Sequence, residues 1–142
     1  MVMKMTQNEI DSCTRTTENP RIPLRENKSS LMIENPNRKV IYIITIDPCI
    51  KSLQDKLKCD YGAFDQNNFF FIELKGSDTK HGVAQLESSI KLFSPFFTDK
   101  KKSCVLCATR FPKAGPGVAQ IKKSFYAKNK IHLQITNNIE FI

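Results

Sequence analysis

Tryptophan is absent from the 142-residue chain, histidine occurs only twice, and acidic side chains are outnumbered, 14 Asp plus Glu against 22 Lys plus Arg. Long apolar runs are missing as well. The longest, Val40 to Ile46, falls far short of the roughly 20 residues that a helical membrane span requires, and the first residues hold no signal-peptide apolar core. No membrane partner is expected, and the chain reads as soluble and cytoplasmic. Length excludes a multidomain machine: a chain of this size buries roughly two-thirds of its unfolded surface around one core, and two independent domains would each be marginal. No internal repeat is present.

The charge balance, net +8, points to an acidic polymer, because each phosphate neutralised by Lys or Arg releases a counterion. Lysine outnumbers arginine 17 to 5, which favours diffuse attraction to a backbone over bidentate reading of bases. DNA is the expected partner and RNA the alternative. Cysteine gives little: Cys13, Cys49, Cys59, Cys104 and Cys107 make an odd count, so free thiols in a reducing compartment are expected. Cys104 and Cys107 have the spacing of a zinc or redox pair, yet they fall in an apolar strand, where residues three apart leave opposite faces. A zinc site joined by Cys49 and Cys59 stays open as the lesser alternative.

Along the chain, residues 1–30 lack a sustained apolar period and contain Pro20 and Pro23, so an irregular N-terminal arm is expected, with a short helix within Val2 to Cys13 as the lesser alternative, followed by one domain over 31–142. Residues 31–34 and 39–47 flank Asn35-Pro36-Asn37 and read as a β-hairpin. Residues 59–64 and 68–75 flank Asp65-Gln66-Asn67 and read as a second. Val83, Leu86, Ile90 and Phe93 form one stripe of an amphipathic helix over 79–93. A buried strand over 103–109, a helix marked by Val118, Ile121 and Phe125, and a strand through Ile131, Leu133 and Ile135 complete the order β β β β α β α β. The expected fold class is α/β, a single domain with a mixed sheet.

The chemistry concentrates in Cys59-Asp60-Tyr61 and Glu73-Leu74-Lys75. Two residues apart on a strand, Glu73 and Lys75 leave the same face, and Asp60 on the paired strand reaches that face in a suitable register. Two carboxylates with a backbone carbonyl, that of Leu74, suit magnesium, which prefers oxygen ligands and keeps several waters; Mn2+ would substitute. Such a cation lowers the pKa of a bound water and neutralises a scissile phosphate, while Lys75 steadies the nucleophile and the developing charge. Mg-dependent hydrolysis of phosphodiesters is the function these residues suggest.

Asp60, then Glu73-x-Lys75 closing an apolar strand, then a helix carrying Gln85, resembles the PD-(D/E)xK superfamily, which includes restriction-type endonucleases and junction resolvases. The stretch is also similar to small bacterial proteins of that type. The resemblance covers roughly Lys39 to Thr109, half of the chain. It implies a restriction-endonuclease-like mixed β-sheet flanked by helices, built as helix, three-stranded meander, helix and strand. It also implies Asp60 and Glu73 as metal ligands, Lys75 as the catalytic lysine and Gln85 as a helix residue near the active site. Cys59 stands where the motif has proline, and none of Glu9, Glu18 and Glu34 is expected on a helix before the sheet.

Each reading has a plainer counterpart. Glu73 and Lys75 are also a simple strand ion pair, Gln85 a hydrogen-bonding residue at the helix–sheet junction, and the two histidines, His81 and His132, surface residues. Lys100, Lys101, Lys102, Arg110, Lys113, Lys122 and Lys123 form a candidate phosphate track or a solvated face. Phe69 to Phe71 with Phe93, Phe96 and Phe97 are candidates for base stacking but read better as core, with Pro95-Phe96-Phe97 a patch for a homodimer that would bring two sites to two strands. The alternative to an endonuclease is a catalytically inactive nuclease-fold module that binds nucleic acid or protein.

Overall fold

A computed structural model describes residues 4–26, 29–75, 78–108 and 115–142. Its centre is an antiparallel meander of β4 (Ile41–Thr45), β5 (Tyr61–Phe64) and β6 (Asn68–Lys75), in which Tyr42 pairs with Phe64 and Tyr61 with Ile72. From β6 the chain crosses through α2 (Thr79–Phe93) to β7 (Lys101–Ala108), and through α3 (Pro116–Asn129) to β8 (His132–Ile135). Both crossovers give parallel pairing, as a helical connection between neighbouring strands requires. β1 (Thr14–Thr17), preceded by α1 (Gln7–Ser12), adds to the far side of β4 and completes a six-stranded sheet ordered β1-β4-β5-β6-β7-β8.

Alternation along these strands makes two cores. Phe69 and Phe71 of β6, with Cys104 and Leu106 of β7, pack beneath Ile10 of α1, Leu86 and Phe93 of α2, and Val118 and Phe125 of α3. On the opposite face Ile72, Leu74, Val105 and Cys107 meet Ile22, Leu24, Leu31, Ile33 and Ile139, which belong to a second sheet of β2 (Arg21–Glu26), β3 (Ser29–Glu34) and β9 (Asn138–Glu140). The molecule is thus a single mixed α/β domain with three layers: helices, six-stranded sheet and three-stranded sheet. Helices cover one face of the main sheet, not both, because the small sheet occupies the other. No helix among the described residues is long and apolar enough to cross a membrane.

Four expectations need correction. The N-terminal arm is not irregular: α1, β1 and β2 lie within it, and β1 and β2 escape a pattern search because both are edge strands. β1 is polar throughout, and Pro23 is tolerated in β2 because an edge strand has a side that needs no donor. Residues 31–34 and 41–45 do not pair with each other; the turn between them moves the chain from the small sheet to the large one. Buried Asn35 holds that turn, its amide nitrogen donating to the carbonyls of Asn19 (3.1 Å) and Lys39 (2.9 Å) and its oxygen accepting from the Lys39 N–H (3.1 Å).

The cysteines and phenylalanines supply the other two. Cys13 and Cys49 are joined in a disulfide between the end of α1 and the turn after β4, so not all five thiols are free, and Cys49 is spent as a zinc ligand. Cys104 and Cys107 do diverge to opposite faces of β7, one in each core. Phe97 is buried against Phe64 and Phe69 at centroid distances of 5.0 and 4.6 Å, which removes it from any dimer patch. Phe69, Phe71 and Phe93 are core, and Phe70 packs edge-on against Phe141. Base stacking therefore has to be sought elsewhere.

Candidate functional site

Asp60 sits where three strands meet. Its N–H donates to Ile72 O (3.1 Å), although the ladder partner of Ile72 is Tyr61; two residues thus oppose one, which marks a β-bulge. Its carbonyl accepts from the N–H groups of Ile46 (3.0 Å) and Asp47 (3.3 Å). A bulge re-aims a side chain, and here Oδ2 of Asp60 accepts the Leu74 N–H at 2.9 Å. The carboxylate is therefore held alongside β6 at the level of Glu73. In an extended strand the N–H and C=O of one residue point to the same side, so the Leu74 carbonyl also faces the Asp60 side.

Both acids are almost fully enclosed, Asp60 at 5% and Glu73 at 1% exposure. Each acts on the Cys59 thiol, whose pKa is pushed up to about 12, first by burial and further by the negative charges of Glu73 and Asp60, against a hydrogen bond with Ser89 that lowers it. Cys59 is a neutral, inert thiol that packs in the helix-side core. Lys75 closes β6 opposite Ala108 of β7; its side chain lies outside the described residues. The carboxylates lie at the C-terminal end of β6, the end of a parallel strand at which α/β sheets bind ligands.

The segment that leads into Asp60 is clamped by one polar stripe of α2. Gln85 Nε2 donates to Lys58 O (3.1 Å), Ser88 Oγ donates to Leu57 O (2.6 Å), and Ser89 Oγ accepts from the Cys59 N–H (2.8 Å) while donating to Gln85 O (3.0 Å). Gln85 does join helix to sheet, as the plainer reading has it. Its Oε1 is buried with no hydrogen-bond partner among the described residues, which leaves one acceptor beside the segment entering the site. Sequence reasoning missed Ser88 and Ser89; polar residues at i, i+3 and i+4 beside an apolar stripe are the signal that finds them.

Glu9 does lie on a helix before the sheet, contrary to expectation. Its carboxylate does not reach the site: it accepts from the Ser52 N–H (2.9 Å) and from Ser52 Oγ, and the two bonds hold its pKa below the usual carboxylate value. Among the described residues no group of three or more His, Cys, Asp and Glu could hold a metal. A magnesium ion at Asp60 and Glu73 would complete its shell from the Leu74 carbonyl, water and substrate oxygens, a donor set that suits its chemistry.

Lys100, Lys101 and Lys102 do not lie beside these acids. Glu73 lies beside Leu106 of β7, and Lys101 begins that strand five residues earlier, about 17 Å away at the usual rise. Lys100, Lys101 and Lys102 are thus at the opposite end of the sheet. Lys122 and Lys123 are exposed midway along α3, while Arg110 and Lys113 lie outside the described residues. His81 is exposed, its N–H taken by Oδ1 of Asp78 at the start of α2 (3.0 Å).

No protein-family model, curated protein or solved structure matches the chain. Its chemistry has to be argued from the site alone.

Proposed function

We propose that the protein is a Mg-dependent nuclease that hydrolyses DNA phosphodiester bonds at Asp60, Glu73 and Lys75. The observation that carries the reading is the pair of enclosed carboxylates at the bulged start of β5 and the end of β6. Two enclosed carboxylates offer a divalent cation the oxygen ligands it prefers. Support also comes from the order meander, α2, β7, which the restriction-endonuclease-like resemblance implies, with β1, β2 and β3 standing between α1 and the meander. When bound, the cation would supply an acidified water and charge neutralisation at the phosphate. Asp60 and Glu73 would hold it, the bulge fixes the angle at which Asp60 does so, and Lys75 is assigned the positioning of the nucleophile. Gln85 is a positioning residue, acting through the Lys58 carbonyl.

A second reading, a nuclease-like fold that binds without cutting, is favoured by the use of Asp60 Oδ2 on the Leu74 N–H and by the distance of Lys100, Lys101 and Lys102 from the acids. A homodimer that brings two sites to two strands stays part of the proposal, without Phe97 in its interface. Cleavage of supercoiled, linear and branched DNA and of RNA, with Mg2+ or Mn2+, separates these readings. The parent should cut, Glu73→Ala and Lys75→Ala should fall by about 10²-fold or more, and binding should survive in both. Undiminished cleavage in Glu73→Ala would sink the nuclease assignment, and binding without cutting by the parent would establish the second reading.

A further inference from the structure

At the N-terminal end of β7, far from the carboxylates, lies a cleft of about 340 Å³ whose lining includes Lys100, Lys101, Lys102, Tyr126, Lys130 and His132. No acidic residue lines it. Two of the ammonium groups are fixed in place: Lys100 Nζ donates to the carbonyls of Asp65 (2.8 Å) and Gln66 (3.1 Å), and Lys102 Nζ to those of Phe97 (2.7 Å) and Lys100 (3.2 Å). The Lys100 ammonium, also 5.3 Å from the centre of the Phe64 ring, is turned toward the loop between β5 and β6, whereas Lys102 keeps its charge on carbonyls and Lys101 and Lys130 are exposed. Beside them Tyr126 stacks on His132, with ring centroids 4.4 Å apart and planes 19° from parallel. Tyr126 nevertheless remains 42% exposed, so the imidazole backs the phenol ring without covering it.

Lys130 adds an independent observation. It caps α3 in the left-handed conformation, φ 58°, its N–H bonded to Tyr126 O at 2.8 Å. Glycine is the favoured residue at that position because a side chain there is strained. Strain retained where the ammonium borders a basic cleft suggests a use for the charge.

We propose that this cleft binds single-stranded nucleic acid, with Tyr126 as a base-stacking platform and Lys101, Lys102 and Lys130 holding the phosphates. The arrangement is that of a sequence-tolerant strand site, an aromatic face within a basic groove. It deepens the nuclease reading by naming a strand-binding surface about 17 Å along the sheet from the acids. It also stands without that reading, since strand binding here needs neither carboxylate nor cation.

The test is fluorescence anisotropy with a labelled oligothymidylate, its RNA counterpart and a duplex of the same length, in EDTA so that cleavage plays no part. The parent should prefer the single strands, with the two sugars separating DNA from RNA as the source. Tyr126→Ala should weaken binding about ten-fold and Tyr126→Phe should retain it, because stacking needs the ring and not the hydroxyl. Lys130→Gly should lower the salt slope by about 1 while melting no lower than the parent, a combination that loss of folding does not produce. Unchanged affinity in both Tyr126→Ala and Lys130→Gly would overturn the proposal, as would equal affinity for duplex with Tyr126→Ala silent. Glu73→Gln is the control: it should bind as the parent does, so failure of cleavage and failure of this cleft are read separately.

Discussion

Ser89→Ala tests whether α2 really positions the residue that precedes Asp60. Ser89 is fully buried, and its hydroxyl satisfies the Cys59 N–H at 2.8 Å while donating to Gln85 O at 3.0 Å. Alanine leaves that N–H enclosed with nothing to replace the oxygen, at a cost of about 1–3 kcal/mol. Better helix propensity returns up to about 0.5 kcal/mol. A net loss of about 1–2 kcal/mol follows, which for a domain of this length lowers the melting temperature by roughly 3–6 °C. Ser88→Ala is the matched control, because Ser88 bonds a carbonyl, Leu57 O, from an exposed position where water substitutes; its loss should stay below about 0.5 kcal/mol. Urea unfolding of the three proteins at pH 7, with unchanged m-values, gives the comparison. If Ser89→Ala unfolds at the parent midpoint, or no earlier than Ser88→Ala, the clamp does not hold the segment.

Other perturbations address the rest of the framework. Reducing Cys13–Cys49, 36 residues apart, should cost about 4 kcal/mol by loop entropy, read as the difference in urea midpoint with and without reductant; a shift under about 1 kcal/mol contradicts it. Burial and the neighbouring acids raise the Cys59 thiol to about 12, so the folded chain keeps a proton that the unfolded chain releases from about pH 9. Stability is therefore full below pH 9 and declines toward pH 12, by about 1.4 kcal/mol per unit more in the parent than in Cys59→Ala; equal slopes in the two proteins would show that the thiol is not shielded. At Gly62 an added Cβ would stand 2.8 Å from Cζ of Phe69 and 3.4 Å from Cδ1 of Ile44, so Gly62→Ala should destabilise by about 1–3 kcal/mol in thermal melts, and an unshifted midpoint would contradict the packing.

Legibility in the sequence followed the range of the physics. The β5–β6 hairpin, α2, β7, α3 and β8 are local objects, each announced by a period of two or of 3.6 and by the turn residues between them. β1 and β2 are edge strands: β1, Thr14-Arg15-Thr16-Thr17, buries no residue fully, so no alternation advertises it. Leu31–Glu34 alternates and Ile41–Thr45 is apolar on both faces, yet nothing local to either decides which sheet each joins. Asn35 holds the turn between them, and its bond to Asn19, sixteen residues back, is one that only the folded chain brings together. Cys13 and Cys49 likewise meet only because β1 lies beside β4.

The candidate site divides in the same way. Glu73-x-Lys75 could be read because two residues on a strand share a face whatever the partner strand does. Asp60 could be placed beside them only by assuming a register, and the actual device, a bulge that sets Asp60 and Tyr61 against Ile72, leaves no trace in residue pattern. The basic residues show the limit most clearly. In sequence Lys100, Lys101 and Lys102 stand as near to Glu73 as the helix between them allows, and an uninterrupted phosphate track looks natural. The parallel crossover reverses that impression, because a helix that follows β6 must return to the start of the sheet before β7 begins. Charge that is close along the chain is carried to the far end of the strands, where Tyr126, His132 and Lys130 arrive from a second crossover that obeys the same rule. One topology thus separates the acids from Lys100, Lys101 and Lys102 and gathers an aromatic platform around those lysines.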